Sequence, residues 1–220
     1  MERFPVDIWS DVVCPWCYVG KRRFEAALER FVHRDQVDVT WHAFELDPEA
    51  PRRQEGTLAE SLAAKYGMSL EEAEASHANL TELAAAEGLD YHFERAQRGN
   101  TFDAHRLIRM ALENGRQDEM KERLMRAYFT EGEPIGDRET LARLAAEVGL
   151  TEEAARAALA GGRYSSEVRG DEHTAARLGI RGVPFFVLDR RFGVSGAQPA
   201  EVLLEALGTA WAARDEAPTA

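Results

Sequence analysis

Cys14 and Cys17 are the only cysteines of the chain, and the Cys-Pro-Trp-Cys segment they bound stands where the hydrophobic pattern turns from strand to helix. Before it, Phe4, Val6 and Ile8 alternate within a short apolar run ending at Trp9, with Pro5 predicting that strand pairing begins after it. After it, Pro15 suits the first turn of a helix, and Phe24, Ala27, Leu28 and Phe31 recur at helical spacing. Val37, Val39, Trp41 and Ala43 then alternate with polar residues until Asp47-Pro48 closes the unit. The order is strand, helix, strand. A parallel pair joined by such a crossover is right-handed, and its sheet needs helices from elsewhere in the chain to cover both faces.

Those helices follow. The chain from Thr57 to about Leu178 reads as helical, with Gly88, Gly115, Gly132, Gly149 and Gly161-Gly162 at helix ends. Ser69 with Glu72 forms a capping box, and Asp137 and Thr151 suit N-cap positions. Val183–Leu188 and Phe192–Ser195 then read as a hairpin, and a last helix opens near Pro199 with Leu203, Leu204, Leu207 and Trp211 on one face. The expected architecture is an α/β domain formed by residues 1–50 and 163–214, split by an inserted helical cap domain over 51–162, with a frayed tail at 215–220. An insertion of this kind is expected to cap one end of the sheet and leave a substrate cleft there.

A net charge of −12 repels phosphate backbones and argues against a nucleic-acid partner. Pro5, Asp7, Ser10 and Asp11 interrupt any apolar leader, and no later run is long enough to span a bilayer, so no membrane association and a cytoplasmic location are expected. Thiols there are kept reduced, which makes a cysteine pair catalytic, redox-sensing or metal-binding in preference to a structural staple. Zinc needs about four ligands, and no second pair or compact histidine cluster accompanies Cys14 and Cys17; no metal is expected. His33, His42, His77, His92 and His173 are scattered, and surface or satisfied core positions suit them better than ligation.

The spacing puts Cys14 at the N-cap, where unpaired amides and the helix dipole favour a thiolate, and Cys17 in the first turn, more buried and within disulfide reach. Cys14 is therefore the expected nucleophile and Cys17 the resolving thiol of a dithiol exchange. Trp16 is either an apolar platform for substrate beside the sulfur or simple packing.

The segments Ser-Asp-Val-Val-Cys-Pro-Trp-Cys-Tyr-Val-Gly (10–20) and Gly-Ile-Arg-Gly-Val-Pro-Phe-Phe (179–186) resemble the DsbA-like thioredoxin superfamily. Within it, Trp-His-Ala-Phe-Glu-Leu-Asp-Pro (41–48) and Asn-Thr-Phe-Asp-Ala-His-Arg-Leu (100–107) are similar to the FrnE-like branch, related to 2-hydroxychromene-2-carboxylate isomerases and kappa-class glutathione transferases. The resemblance implies a thioredoxin-like fold with a large helical insertion, and a cis Pro184 that brings Val183 and Pro184 to the cysteines. There the Val183 backbone would hold an extended peptide or glutathione by strand addition. Read from the residues alone, Gly182-Val183-Pro184 would merely begin a strand. Trp16 stands where periplasmic DsbA enzymes carry His, which argues against a strong oxidant. The related isomerases and transferases generally have Ser at the position of Cys14, so the paired cysteines favour dithiol exchange.

Asp11 and Glu45 are candidate proton shuttles, although acids so placed are commonly solvated turn residues. Asn100 and His105 are candidate substrate contacts, and Thr101 is either another or an N-cap. The expected function is a thiol-disulfide oxidoreductase or disulfide isomerase acting on protein or low-molecular-weight disulfides. It would have no bound cofactor, and a reducing partner or glutathione would serve as co-substrate. Two alternatives stand beside it: a glutathione-dependent isomerase or transferase, and a peptide-binding chaperone whose cysteines act as a redox switch.

Overall fold

The computed structural model describes residues 3–214; the tail 215–220, expected to fray, lies outside them. In chain order the elements are β1 (Phe4–Ser10), α1 (Pro15–Arg30), β2 (Val37–Ala43), α2 (Leu58–Tyr66), α3 (Leu70–Ala86), α4 (Phe102–Glu113), α5 (Gln117–Arg126), α6 (Arg138–Glu147), α7 (Glu152–Ala160), α8 (Ser165–Arg177), β3 (Phe185–Leu188), β4 (Phe192–Ser195) and α9 (Ala200–Ala212). Two compact units result. One runs to Phe44 and resumes at Asp171, and the other is Glu45–Gly170, so the division falls inside α8 and the boundaries 50 and 163 both sit within the second unit.

The first unit is built on a four-stranded sheet in the order β2-β1-β3-β4. β1 and β2 are parallel through the α1 crossover, in register Phe4↔Val37 to Ser10↔Ala43. β3 runs antiparallel to β1 and forms a hairpin with β4. Pairing therefore starts at Phe4, ahead of Pro5, and not after it as the sequence suggested. Proline withdraws an N–H but keeps its acceptor, and the Pro5 carbonyl takes the Asp189 N–H at 2.9 Å.

One face of this sheet presents Phe4, Val6, Ile8, Phe186 and Leu188, all fully or almost fully buried. α1 and α9 pack there, with Phe24 against Phe186 at 5.5 Å between ring centroids and Trp211 against Phe4 at 5.5 Å. Side chains of this size contribute about 1.5–3 kcal/mol each on burial. The opposite face places Trp9, Phe185 and Val187 against Ala175 and Ile180.

The second unit is helical. Capping boxes open α2 at Thr57/Glu60 and α3 at Ser69/Glu72, while Asp137 and Thr151 accept the N–H groups of Thr140 and Ala154 at the starts of α6 and α7. α4 is its axis, packing on α5, α6 and α7. Its buried Arg106 donates to the carbonyls of Leu159, Gly161 and Arg163 at 3.4, 2.6 and 2.8 Å, and to Ala158, quenching the acceptors left open at the end of α7.

Candidate active site

β1 ends at the buried Ser10, and a short turn through Asp11 delivers Cys14 to the N-cap of α1, with extended backbone (φ −87°, ψ 111°) and Pro15 at the first helical position. The Cys14 carbonyl receives the Cys17 and Tyr18 amides at 3.0 and 3.4 Å, which winds the first turn and turns both sulfurs to one end of the helix. Both cysteines are free thiols, Cys17 fully buried and Cys14 with 4% of its surface open; the intervening Trp16 is 44% exposed.

The turn before β3 meets this helix end. Cys14 Sγ lies 3.6 Å from the Val183 carbonyl oxygen, to which the thiol can donate. The Val183–Pro184 peptide bond is cis, and the Pro184 carbonyl accepts the Gly196 N–H at 2.8 Å. Residues distant in sequence, Cys14 and Val183, are thus neighbours.

The electrostatics differ from the expectation of a helix-stabilised thiolate. The Cys14 thiol is held well above the ordinary thiol range, first by its side-chain hydrogen bond with Cys17, then by burial and by the charge Cys17 would carry. The Cys17 backbone amide pulls the other way and is outweighed, and Asp11 adds a small upward push. Like charges on two sulfurs in contact would repel, which is one reason the Cys14 thiol holds its proton more firmly.

Of the polar residues singled out from sequence, Asp11 lies in the same unit as Cys14 and acts on its charge. It is buried and accepts the Val12 N–H at 2.7 Å. Glu45, Asn100 and His105 belong to the second unit. Glu45 accepts Arg169 at 2.6 Å and Asn100 Nδ2 at 3.1 Å. Asn100 Oδ1 in turn accepts the Phe102 N–H at 2.9 Å, opening α4 in place of Thr101, whose side chain makes no cap bond. His105 is buried on α4, where its amide bonds the Thr101 carbonyl.

His42 takes the satisfied, largely buried position that the sequence reading allowed it. It stands between two carboxylates, Nδ1 2.8 Å from Asp171 and Nε2 2.8 Å from Asp7, and its ring stacks on Trp9 at 4.5 Å. The parallel register sets Asp7 and Trp9 beside Thr40 and His42. Among the described residues, no group of three or more His, Cys, Asp or Glu is arranged to hold a metal ion, and no helix is long and apolar enough to cross a membrane.

Comparison with known proteins places this geometry. Residues 5–208 match the model of the DSBA-like thioredoxin domain. A crystal structure of a probable DsbA oxidoreductase, SCO1869 of Streptomyces coelicolor, is 50% identical, with a TM-score of 0.92 over 96% of this chain and 91% of that one. The uncharacterised protein YwbO of Bacillus subtilis is 30% identical over 195 residues, 83% of this chain and 86% of its own. The cytosolic disulfide reductase DsbM of Pseudomonas aeruginosa shares the fold at 18% identity, with a TM-score of 0.63 over 96% of this chain and 97% of its own; it has also been solved with GSH.

Proposed function

Because the chain belongs to the DSBA-like thioredoxin domain family, a family of oxidoreductases, we propose that it carries out thiol-disulfide exchange through Cys14 and Cys17. The observation that supports this reading best is the Cys14 sulfur at the start of α1, 3.6 Å from the Val183 carbonyl oxygen and beside a second free thiol. Cys14, the more open of the two, attacks as thiolate on one sulfur of a substrate disulfide. The S–S bond breaks, a mixed disulfide forms, and the first substrate thiolate leaves. Cys17 then attacks the Cys14 sulfur, closing the Cys14–Cys17 disulfide and releasing the second substrate thiol. Two electrons pass from the dithiol to the substrate, and a thiol reductant of the glutathione class restores the pair.

The exposed Trp16 offers an apolar surface next to the attacking sulfur, and the Val183 and Pro184 backbone lies where an extended substrate chain would be aligned. Asp11, buried in the turn before Cys14, is the acid we assign to the proton that Cys17 gives up; Glu45, paired with Arg169 and hydrogen-bonded by Asn100, is better suited to structure. A reducing compartment, as in the cytosol, suits operation as a reductase or isomerase.

Trapping tests this. Reduced Cys17→Ser protein mixed with an oxidised peptide should accumulate a Cys14-linked mixed disulfide visible by intact-mass spectrometry, while Cys14→Ser should accumulate none. Equal turnover of a peptide disulfide by wild type and Cys14→Ser would refute the assignment.

A further inference from the structure

Gly20 lies in the second turn of α1, a place that alanine would by intrinsic preference fill better. Space explains the glycine. A Cβ at Gly20 would come 2.8 Å from Pro184 Cγ and 3.5 Å from both Pro184 Cβ and Ala197 Cβ. The backbone of α1 is thus the seat on which the Pro184 ring rests. The turn after β4 closes the seat from the other side, since the Gly196 N–H bonds the Pro184 carbonyl at 2.8 Å. Arg23 of α1 anchors that turn through its bond to the Ala197 carbonyl at 2.7 Å. One helix therefore carries the reacting sulfur at its start and, further along, both the slot and the clasp for the segment facing that sulfur.

We propose that Gly20 and Arg23 are positioning residues that fix the spacing between the Val183 carbonyl and the Cys14 sulfur. The proposal rests on the exchange reading above for its catalytic meaning, since in that reading substrate is aligned at Val183 while Cys14 attacks. A methyl group at Gly20 would force Pro184 to withdraw by about 0.6 Å to regain ordinary contact at 3.4 Å. Displacements approaching 1 Å cost up to about a hundredfold in reactions that depend on alignment. Withdrawal would also take an acceptor oxygen away from the Cys14 S–H, which makes the thiol easier to ionise.

The test compares Gly20→Ala and Arg23→Gln with Gly208→Ala, a glycine of α9 with nothing within 4 Å of its added Cβ. Two readouts are taken: steady-state reduction of a peptide disulfide, and, in a Cys17→Ala background, the pH profile of Cys14 alkylation by iodoacetamide. Gly20→Ala should raise KM and lower kcat/KM by roughly 10–100-fold and shift the alkylation midpoint to lower pH. Arg23→Gln should move both in the same sense by less, and Gly208→Ala should move neither. Wild-type KM and alkylation profiles in both Gly20→Ala and Arg23→Gln, whatever their melting temperatures, would overturn the proposal. Arg23→Gln decides the matter if Gly20→Ala does not fold. Failure of wild type to reduce any disulfide would instead count against the function, and the alkylation profiles would still decide whether Gly20 and Arg23 set the spacing.

Discussion

His42 Nδ1 lies 2.8 Å from Asp171 Oδ1, joining the end of β2 to α8, and Asp171 Oδ2 also accepts the Ala43 N–H at 3.0 Å. With Asp7 on its other nitrogen, the imidazole is enclosed by negative charge. Burial lowers its pKa, but the bonds to Asp171 and then Asp7 win and raise it from 6.5 to about 9. A histidine raised on folding stabilises the native state fully below its unfolded value and loses that contribution as pH climbs through the folded one. Stability should therefore decline between about pH 6.5 and 9 by an amount on the order of 2–3 kcal/mol. Urea denaturation across that window checks it: His42→Gln should be less stable at pH 6 and should flatten the decline. A variant with the wild-type pH dependence would show that His42 is not the titrating group.

The contact between the two thiols is the first cause of the elevated Cys14 pKa, so its removal should be visible directly. In Cys17→Ala, the Cys14 titration followed by thiolate absorbance should move to lower pH than in the reduced wild type. An unmoved midpoint would mean that burial alone sets it.

Arg106 is buried, donates to Asp103 at 2.6 Å, and caps the carbonyls at the end of α7. Arg106→Met would leave those carbonyls without their donor while Asp103 keeps Arg138 at 2.7 Å, and should cost about 1–3 kcal/mol, read as a lower urea midpoint of the helical unit. A loss under about 1 kcal/mol would show that water replaces the guanidinium at little cost.

Burial raises the Asp103 pKa, but Arg138 and then Arg106 outweigh it and hold the carboxyl below its ordinary 3.8. Its contribution is present above that value and lost as pH falls through the lower native one. Acid unfolding of Asp103→Asn should accordingly show a weaker dependence on pH below 3.8 than wild type; identical acid profiles would contradict the pairing.

Glu45 has a fully buried side chain held by Arg169 and Asn100. Glu45→Gln removes the charge that Arg169 meets and should destabilise the protein by about 1–3 kcal/mol in chemical denaturation. Wild-type stability combined with slowed Cys14 exchange would instead return Glu45 to a role in proton transfer.

Local physics made much of this molecule readable in advance. The Phe4–Ile8 alternation, the helix after Pro15 and the hairpin at 185–195 follow from periodicities of two and 3.6, and the caps at Ser69, Asp137 and Thr151 from hydrogen bonds that span only a few residues. Reading failed where a long-range partner decides. Asn100 opens α4 because its amide also reaches Glu45, and a glycine inside α1 looks like a weak helix position until Pro184 is seen against it.

The Cys14-Pro15-Trp16-Cys17 motif was determined by the sequence alone, together with its place between a strand and a helix, because turn geometry and helix initiation depend on adjacent residues. Tertiary structure alone decided what faces the sulfur. Val183 reaches Cys14 through the β1–β3 pairing and the seating of Pro184 on Gly20, and the thiol's proton affinity is set by burial and by the Cys17 side chain. Those quantities depend on distances across the fold, which are fixed only when sheet register and helix packing are satisfied together.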